Sequence, residues 1–258
     1  MGGLLHSLRH PRRCYLVCAI ARSGSNLLTD GLHATRMAGR PKQFFLPKFE
    51  REYGAKHGLD PAGDFRGYVR GIVRSTATSN EVFGFKLMGW YLEDFLTRLR
   101  RAGGFGNSET ADIPLLQAAF PRLEFVQILR RNKVRQAISK AKAILSGLWK
   151  IQERNAAVAE PEFDEELITR CLADAREAEA VWDCFFQRNH IRPQVVEYES
   201  LCADYAGTVR GVLDHLKIRM PREQEIAPPL TIRQTDSLSL EWEERYLALH
   251  PSNSVLTH

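Results

Sequence analysis

Arg22, Ser23, Gly24, Ser25 and Asn26 put a guanidinium, two hydroxyls, an amide and a glycine in consecutive positions. That set suits an anion. Arginine offers a planar fork of N–H donors, and serine hydroxyls add more. If the stretch opens a helix, the first-turn N–H groups have no intrahelical partner and the dipole favours negative charge. The chemistry indicated is capture of a phosphate or sulfate. The common nucleotide loop differs, because G-x-x-x-x-G-K-[ST] needs a lysine for the terminal phosphates and a hydroxyl for magnesium. Here no lysine follows Gly24, and Asn26 stands near where that Ser or Thr is wanted. Short Ser/Gly loops are also ordinary turns, so the reading needs partners elsewhere in the chain.

A second group of charges supplies them. Arg130, Arg131, Lys133, Arg135, Lys140, Lys142 and Lys150 occur with no acidic residue between them. Basic helices can track nucleic-acid phosphates, but no aromatic interleaving, zinc-finger spacing or RNA-binding fingerprint accompanies this one. A solvated helix face accounts for the outer lysines. Arg131 and Ser139 stand eight residues apart, about two helical turns, and could grip one phosphate with a fork and a hydroxyl.

These residues need elements to position them. The apolar run Cys14–Ala21 before the loop, with Leu27, Leu28 and Leu32 after it, predicts a strand over about 14–20 and a helix over 25–37. Further strands are expected at Val82–Lys86, Glu124–Leu129 and Gln194–Glu197. Helices are expected at 65–79, 89–100, 115–119, 132–150, 164–188 and 209–216. The Gly-rich piece 102–107 reads as a loop. Strands alternating with helices imply an α/β fold with a central parallel sheet and helices on both faces. Ligands then sit beyond the carboxyl ends of the strands, where Arg22, Lys86 and Arg130-Arg131 all fall.

The bulk numbers set limits. At 258 residues with no internal repeat, one domain is the simplest organisation, with tails expected at 1–13 and 248–258. The net charge of +5 suits an anionic ligand without demanding nucleic acid. Five scattered cysteines, an odd number, argue for reduced thiols and a cytoplasmic location, and with eight scattered histidines they form no zinc-ligand spacing. The apolar run ending Ala19-Ile20-Ala21 superficially fits a secretory signal, yet cleavage there would delete the first strand. No stretch approaches the length of a membrane span.

Several blocks, taken in order, resemble the bacterial trehalose sulfotransferase family. They are Tyr15-Leu-Val, Arg22-Ser-Gly-Ser, Gly39–Phe45, Phe83–Met88, Arg130–Ser139, Arg233–Asp236 and Glu241–Tyr246, covering roughly 14–247. The resemblance implies a P-loop-like three-layer fold and a metal-free sulfotransferase that uses 3′-phosphoadenosine-5′-phosphosulfate (PAPS). Arg22, Ser23, Gly24, Ser25 and Asn26 would hold the 5′-phosphosulfate, with Asn26 where relatives usually carry Thr. Arg131 (or Arg130) and Ser139 would bind the 3′-phosphate, Arg233 and Gln234 would belong to a lid, and Lys86 would stand near the sulfuryl group. The acceptor would be a hydroxyl of a small metabolite such as a sugar or glycolipid precursor, and the enzyme a homodimer.

One departure bears on catalysis. The family's general-base Glu, directly before the paired aromatics, is Gln43 here. An amide holds no proton at neutral pH, and general-base catalysis is typically worth about 10²–10⁴-fold. Either another group such as Glu50 or His57 takes the proton, or the acceptor differs, or the protein holds its nucleotide with little turnover. Phe44, Phe45 and Tyr53 could stack on a sugar, though core packing is expected of at least one. Core packing is also expected of Trp90 and Trp149.

Overall fold

A computed structural model describes residues 11–149, 160–221, 223–229 and 237–257. Four parallel strands form its sheet: β1 (Arg13–Ala19), β2 (Val82–Met88), β3 (Leu123–Leu129) and β4 (Gln194–Glu197), in the order β2-β1-β3-β4. The anion loop therefore hangs from an inner strand. β1 pairs with β2 from Arg13↔Val82 to Ala19↔Met88, and with β3 from Cys14↔Leu123 to Cys18↔Gln127.

A strand's side chains alternate between faces, and here both faces are buried. Cys14, Leu16 and Cys18 enter one apolar cluster; Tyr15, Val17 and Ala19 enter another on the opposite side. Helices α1 (Ser25–Ala34), α8 (Tyr198–Ala203) and α9 (Tyr205–His215) cover the second face. The first is covered by α3 (Phe65–Thr76), α4 (Leu92–Ala102), α5 (Asp112–Ala119) and α7 (Glu165–Arg188). The expected three-layer α/β arrangement is present. No described helix is long and apolar enough to cross a membrane.

The helices start where local chemistry satisfies their first amides. Asp64, Asp164 and Asp204 cap α3, α7 and α9, and Asn132 caps α6 (Lys133–Ser146), each side chain accepting a first-turn backbone N–H. Besides the short α8, two helices lie outside the sequence expectations. The first, α2 (Pro47–His57), begins on a proline and buries only Glu50 and Gly54, so it has almost no apolar stripe to read. The other, α10 (Ser237–Leu249), packs Trp242 and Tyr246 against α6.

Several single-residue expectations change. Phe44 and Phe45 are each only 1% exposed and belong to the core, where Phe45 stacks on Phe95 at 4.9 Å and meets Phe85 edge-on at 5.2 Å. Neither can stack on a sugar. Trp90 and Trp149, by contrast, are 44% and 48% exposed and are not core residues. Glu50 is buried and paired with both Arg98 nitrogens at 2.7 and 2.8 Å, while that guanidinium lies 4.1 Å over Phe65. A carboxylate pinned this way by a bidentate fork is a structural group and not a general base.

Two substitutions probe this layer. Phe45→Ala should cost about 3–5 kcal/mol of stability in a urea titration, as for other buried aromatics. Glu50→Gln should cost about 1–3 kcal/mol by leaving Arg98 short of its partner. It should leave the pH profile of any catalysed reaction unchanged, and a lost acidic limb would restore Glu50 as a proton acceptor.

Candidate functional site

The loop between β1 and α1 is an unusual piece of backbone. Arg22 at φ 61 and Gly24 at φ 88 are both left-handed, a costly conformation for the arginine that tertiary contacts must impose. Ser23 is fully buried, and its hydroxyl donates to the Ile20 carbonyl at 2.9 Å, so it closes the turn from inside. Gly24 is the N-cap of α1 and makes no side-chain capping bond. A Cβ there would come 2.3 Å from the Tyr198 ring, so only glycine lets that ring brace the loop. Tyr198 opens α8 and carried no legible signal of its own, because a tyrosine at a strand end reads as any half-buried aromatic.

Three cations meet at this loop. Arg22 donates from Nε to Ser139 Oγ at 2.8 Å and from a terminal nitrogen to the Trp149 carbonyl at 3.0 Å. Lys86 lies within β2, not beyond it, and its buried Nζ donates to Ser25 Oγ at 3.3 Å and to Asn26 Oδ1. Asn26 thus orients the lysine. Arg130, just past β3, is only 8% exposed and lies 4.7 Å over the Tyr198 ring. Its Nε is buried without a hydrogen-bond partner.

Among the described residues, no ion pair involves Arg22 or Arg130. Burial pushes the Arg22 pKa below its ordinary value, and the charge of Arg130 pushes it further. Burial likewise lowers Arg130, with Tyr198 and the Glu199 carboxylate partly offsetting it. Neither guanidinium, Arg22 half-buried and Arg130 buried, forms an ion pair among the described residues, and an anion placed between these mutually repelling groups stabilises both.

Three more basic residues of α6 are paired with carboxylates within the fold. Lys133 pairs with Glu179, Lys140 with Asp174, and Arg135 with Glu243. Arg131 points outward, 3.5 Å from Glu197 and 3.9 Å from Glu199. The Glu199 carboxylate also accepts from the Arg131 and Asn132 amides at 3.1 and 3.3 Å. Ser139 is therefore joined to Arg22, and no described hydrogen bond joins it to Arg131. Lys150, Arg233 and Gln234 lie outside the described residues.

The segment bearing Gln43 runs beside Lys86. Lys42 pairs with Phe85, and the Lys86 amide donates to the Lys42 carbonyl at 3.0 Å. Gln43 follows directly and is half-buried. Lys42 itself reaches Asp30 at 3.3 Å. His57 ends α2, where partial burial and the charges of Lys56 and Arg40 hold its pKa below the usual histidine value. No cluster of three or more metal-ligating side chains occurs among the described residues. The arrangement can hold anions with fixed donors and keep an ammonium against the loop.

Comparison with known proteins agrees with this chemistry. Trehalose 2-sulfotransferase of Mycolicibacterium smegmatis is 30% identical over 264 residues, spanning 92% of this chain and 95% of that protein. The trehalose 2-sulfotransferase of Mycobacterium tuberculosis is 29% identical over 273 residues, spanning 93% and 96%. A crystal structure of a sulfotransferase from Alicyclobacillus acidocaldarius superposes with a TM-score of 0.46 at 15% identity, covering 96% of this chain and 94% of that one. Residues 14–248 match the model of the Stf0 sulphotransferases, and the chain belongs to that family of transferases.

Proposed function

We propose that the protein transfers a sulfuryl group from PAPS to a hydroxyl of a sugar. The observation that carries the reading is the Arg22–Arg130 pair, a half-buried and a buried guanidinium with no ion pair among the described residues and one orphaned donor at Arg130 Nε. The residues fit the donor in three respects. The uncapped start of α1 offers backbone N–H groups, Gly24 permits the left-handed turn that opens it, and the cations supply charge without a metal. When bound, PAPS would supply an activated sulfuryl group with a phosphate as leaving group. Arg22 and Arg130 would hold its anionic groups, and exposed Arg131 would reach the 3′-phosphate that separates it from ATP.

Lys86 is poised for the transferring group. Its ammonium is fixed by Asn26 and Ser25 at the loop, so charge that develops there meets a preoriented donor. A sulfuryl group carries less charge than a terminal phosphoryl group, so fixed donors can suffice where kinases need magnesium. The acceptor assignment follows the two trehalose 2-sulfotransferases, whose chains align over nearly their full length. All five cysteines are free, which supports a reducing cytoplasmic location.

A second reading, a nucleotide-holding protein with slow turnover, is favoured by Gln43, an amide beside Lys86 where a carboxylate would take the acceptor's proton. Gln43→Glu separates the two. If the rest of the machinery is competent, this substitution should raise sulfuryl transfer by about tenfold or more, within the range of general-base effects. No gain would favour a different proton acceptor or a binding role.

Donor recognition is tested by thermal shift. The desulfated nucleotide 3′-phosphoadenosine-5′-phosphate should raise Tm where an equal concentration of ATP does not. Arg130→Ala should weaken that nucleotide by about tenfold, the cost of one charge-assisted contact. Equal stabilisation by ATP would sink the sulfotransferase reading.

A further inference from the structure

Next to the anion loop lies a small cavity that the nucleotide assignment does not use. Its volume is about 10 Å³, and its walls include Ala21, Trp90, Gln136, Lys140 and Asp174. Room of that size holds a single water or one hydroxyl group. Gln136 is 1% exposed; its Nε2 donates to the Ala21 carbonyl at 2.8 Å, while its Oε1 is buried without a partner. A buried carbonyl left unpaired costs about 1–3 kcal/mol, so this one calls for an O–H donor from outside the chain. Lys140 Nζ, already bonded to Asp174, has further N–H groups to offer an oxygen.

The outer wall is an exposed tryptophan held in a fixed place. Gly89 begins the short 3-10 turn Gly89–Tyr91 directly after β2, and a Cβ on it would come 2.6 Å from the Ala178 carbonyl of α7. The glycine lets the turn lie flat on α7. Trp182 of the same helix donates to the Ala19 carbonyl at 3.0 Å, tying α7 to the end of β1. Trp90 is thereby set at the carboxyl edge of the sheet with 44% of its surface in solvent. An exposed aromatic face beside a hydroxyl-sized polar hole fits a neutral polyol. The Asp174 carboxylate in the wall disfavours an anion such as a nucleotide phosphate.

We infer that Trp90, Gln136 and the Lys140–Asp174 pair form the acceptor subsite, where a sugar ring stacks on Trp90 and one hydroxyl enters the cavity. That hydroxyl donates to Gln136 Oε1, and its oxygen accepts from Lys140. Ala21 in the cavity wall adjoins Arg22, so a ring seated here presents its other hydroxyls to the loop. The inference rests on the sulfuryl-transfer reading for its setting, and binding can be measured apart from transfer.

The test uses the full chain and trehalose as the probe. Its tryptophan indole N–H signals are followed by ¹⁵N NMR during a trehalose titration, the Trp90 signal being the one missing from Trp90→Phe. In parallel, transfer from PAPS to trehalose is measured. The Trp90 signal should move saturably. Trp90→Ala should raise KM for trehalose about tenfold with kcat changed by less than about twofold, as for lost ground-state binding, while Trp90→Phe keeps most of the affinity. If trehalose is sulfated while the Trp90 signal stays still, or with KM unchanged in Trp90→Ala, the subsite is overturned and the transfer reading stands. Movement of the signal without transfer upholds the subsite and removes the transfer reading. Neither binding nor transfer removes both.

Discussion

Setting a half-buried and a buried arginine side by side, with no ion pair to either among the described residues, is the constraint to which the rest of this structure answers. Arg22 and Arg130 sit at the ends of neighbouring parallel strands, so their proximity follows from the β1–β3 pairing. Taking a guanidinium out of water is costly, and a second one nearby adds repulsion. The fold offsets this in neutral ways: Ser139 and the Trp149 carbonyl accept from Arg22, and the Tyr198 ring lies under Arg130. None of these acceptors carries a formal charge. Glu199 offsets the Arg130 charge without forming an ion pair with it, and the site keeps a positive field that an anionic ligand completes.

The same economy explains helix α6. Its residues look uniformly basic along the chain, yet α7 and α10 bring Glu179, Asp174 and Glu243 to Lys133, Lys140 and Arg135. Glu199 closes the helix start by accepting from two backbone amides. Charge is cancelled on the outward faces and kept at the inward end. A run of one sign in sequence therefore does not translate into a basic surface, because its partners come from elements distant in the chain.

Much of the architecture was legible beforehand because periodicity and spacing are local. β1 through the Gly24 turn into α1, the strands at 82, 124 and 194, and the basic residues near their ends all follow from apolar runs and their punctuation. The Asn132 and Asp164 caps lie where such residues precede an apolar stripe. Helix α2 was not legible, since its buried positions are a glutamate and a glycine.

What the chain alone determined is the order of its four strands, the loop-to-helix turn after the first of them, and the placing of basic residues near the strand ends. Each depends on residue types at short separations. Tertiary structure decided the rest. It turned Arg130 inward and Arg131 toward Glu197, buried Phe44 and Phe45, consumed Glu50 on Arg98, and left Trp90 in solvent beside an unpaired amide oxygen. The reason is that a side chain's role depends on which distant group meets it. Burial, pairing and exposure are set by neighbours up to a hundred or more residues away, as in the contact of Arg22 with Ser139.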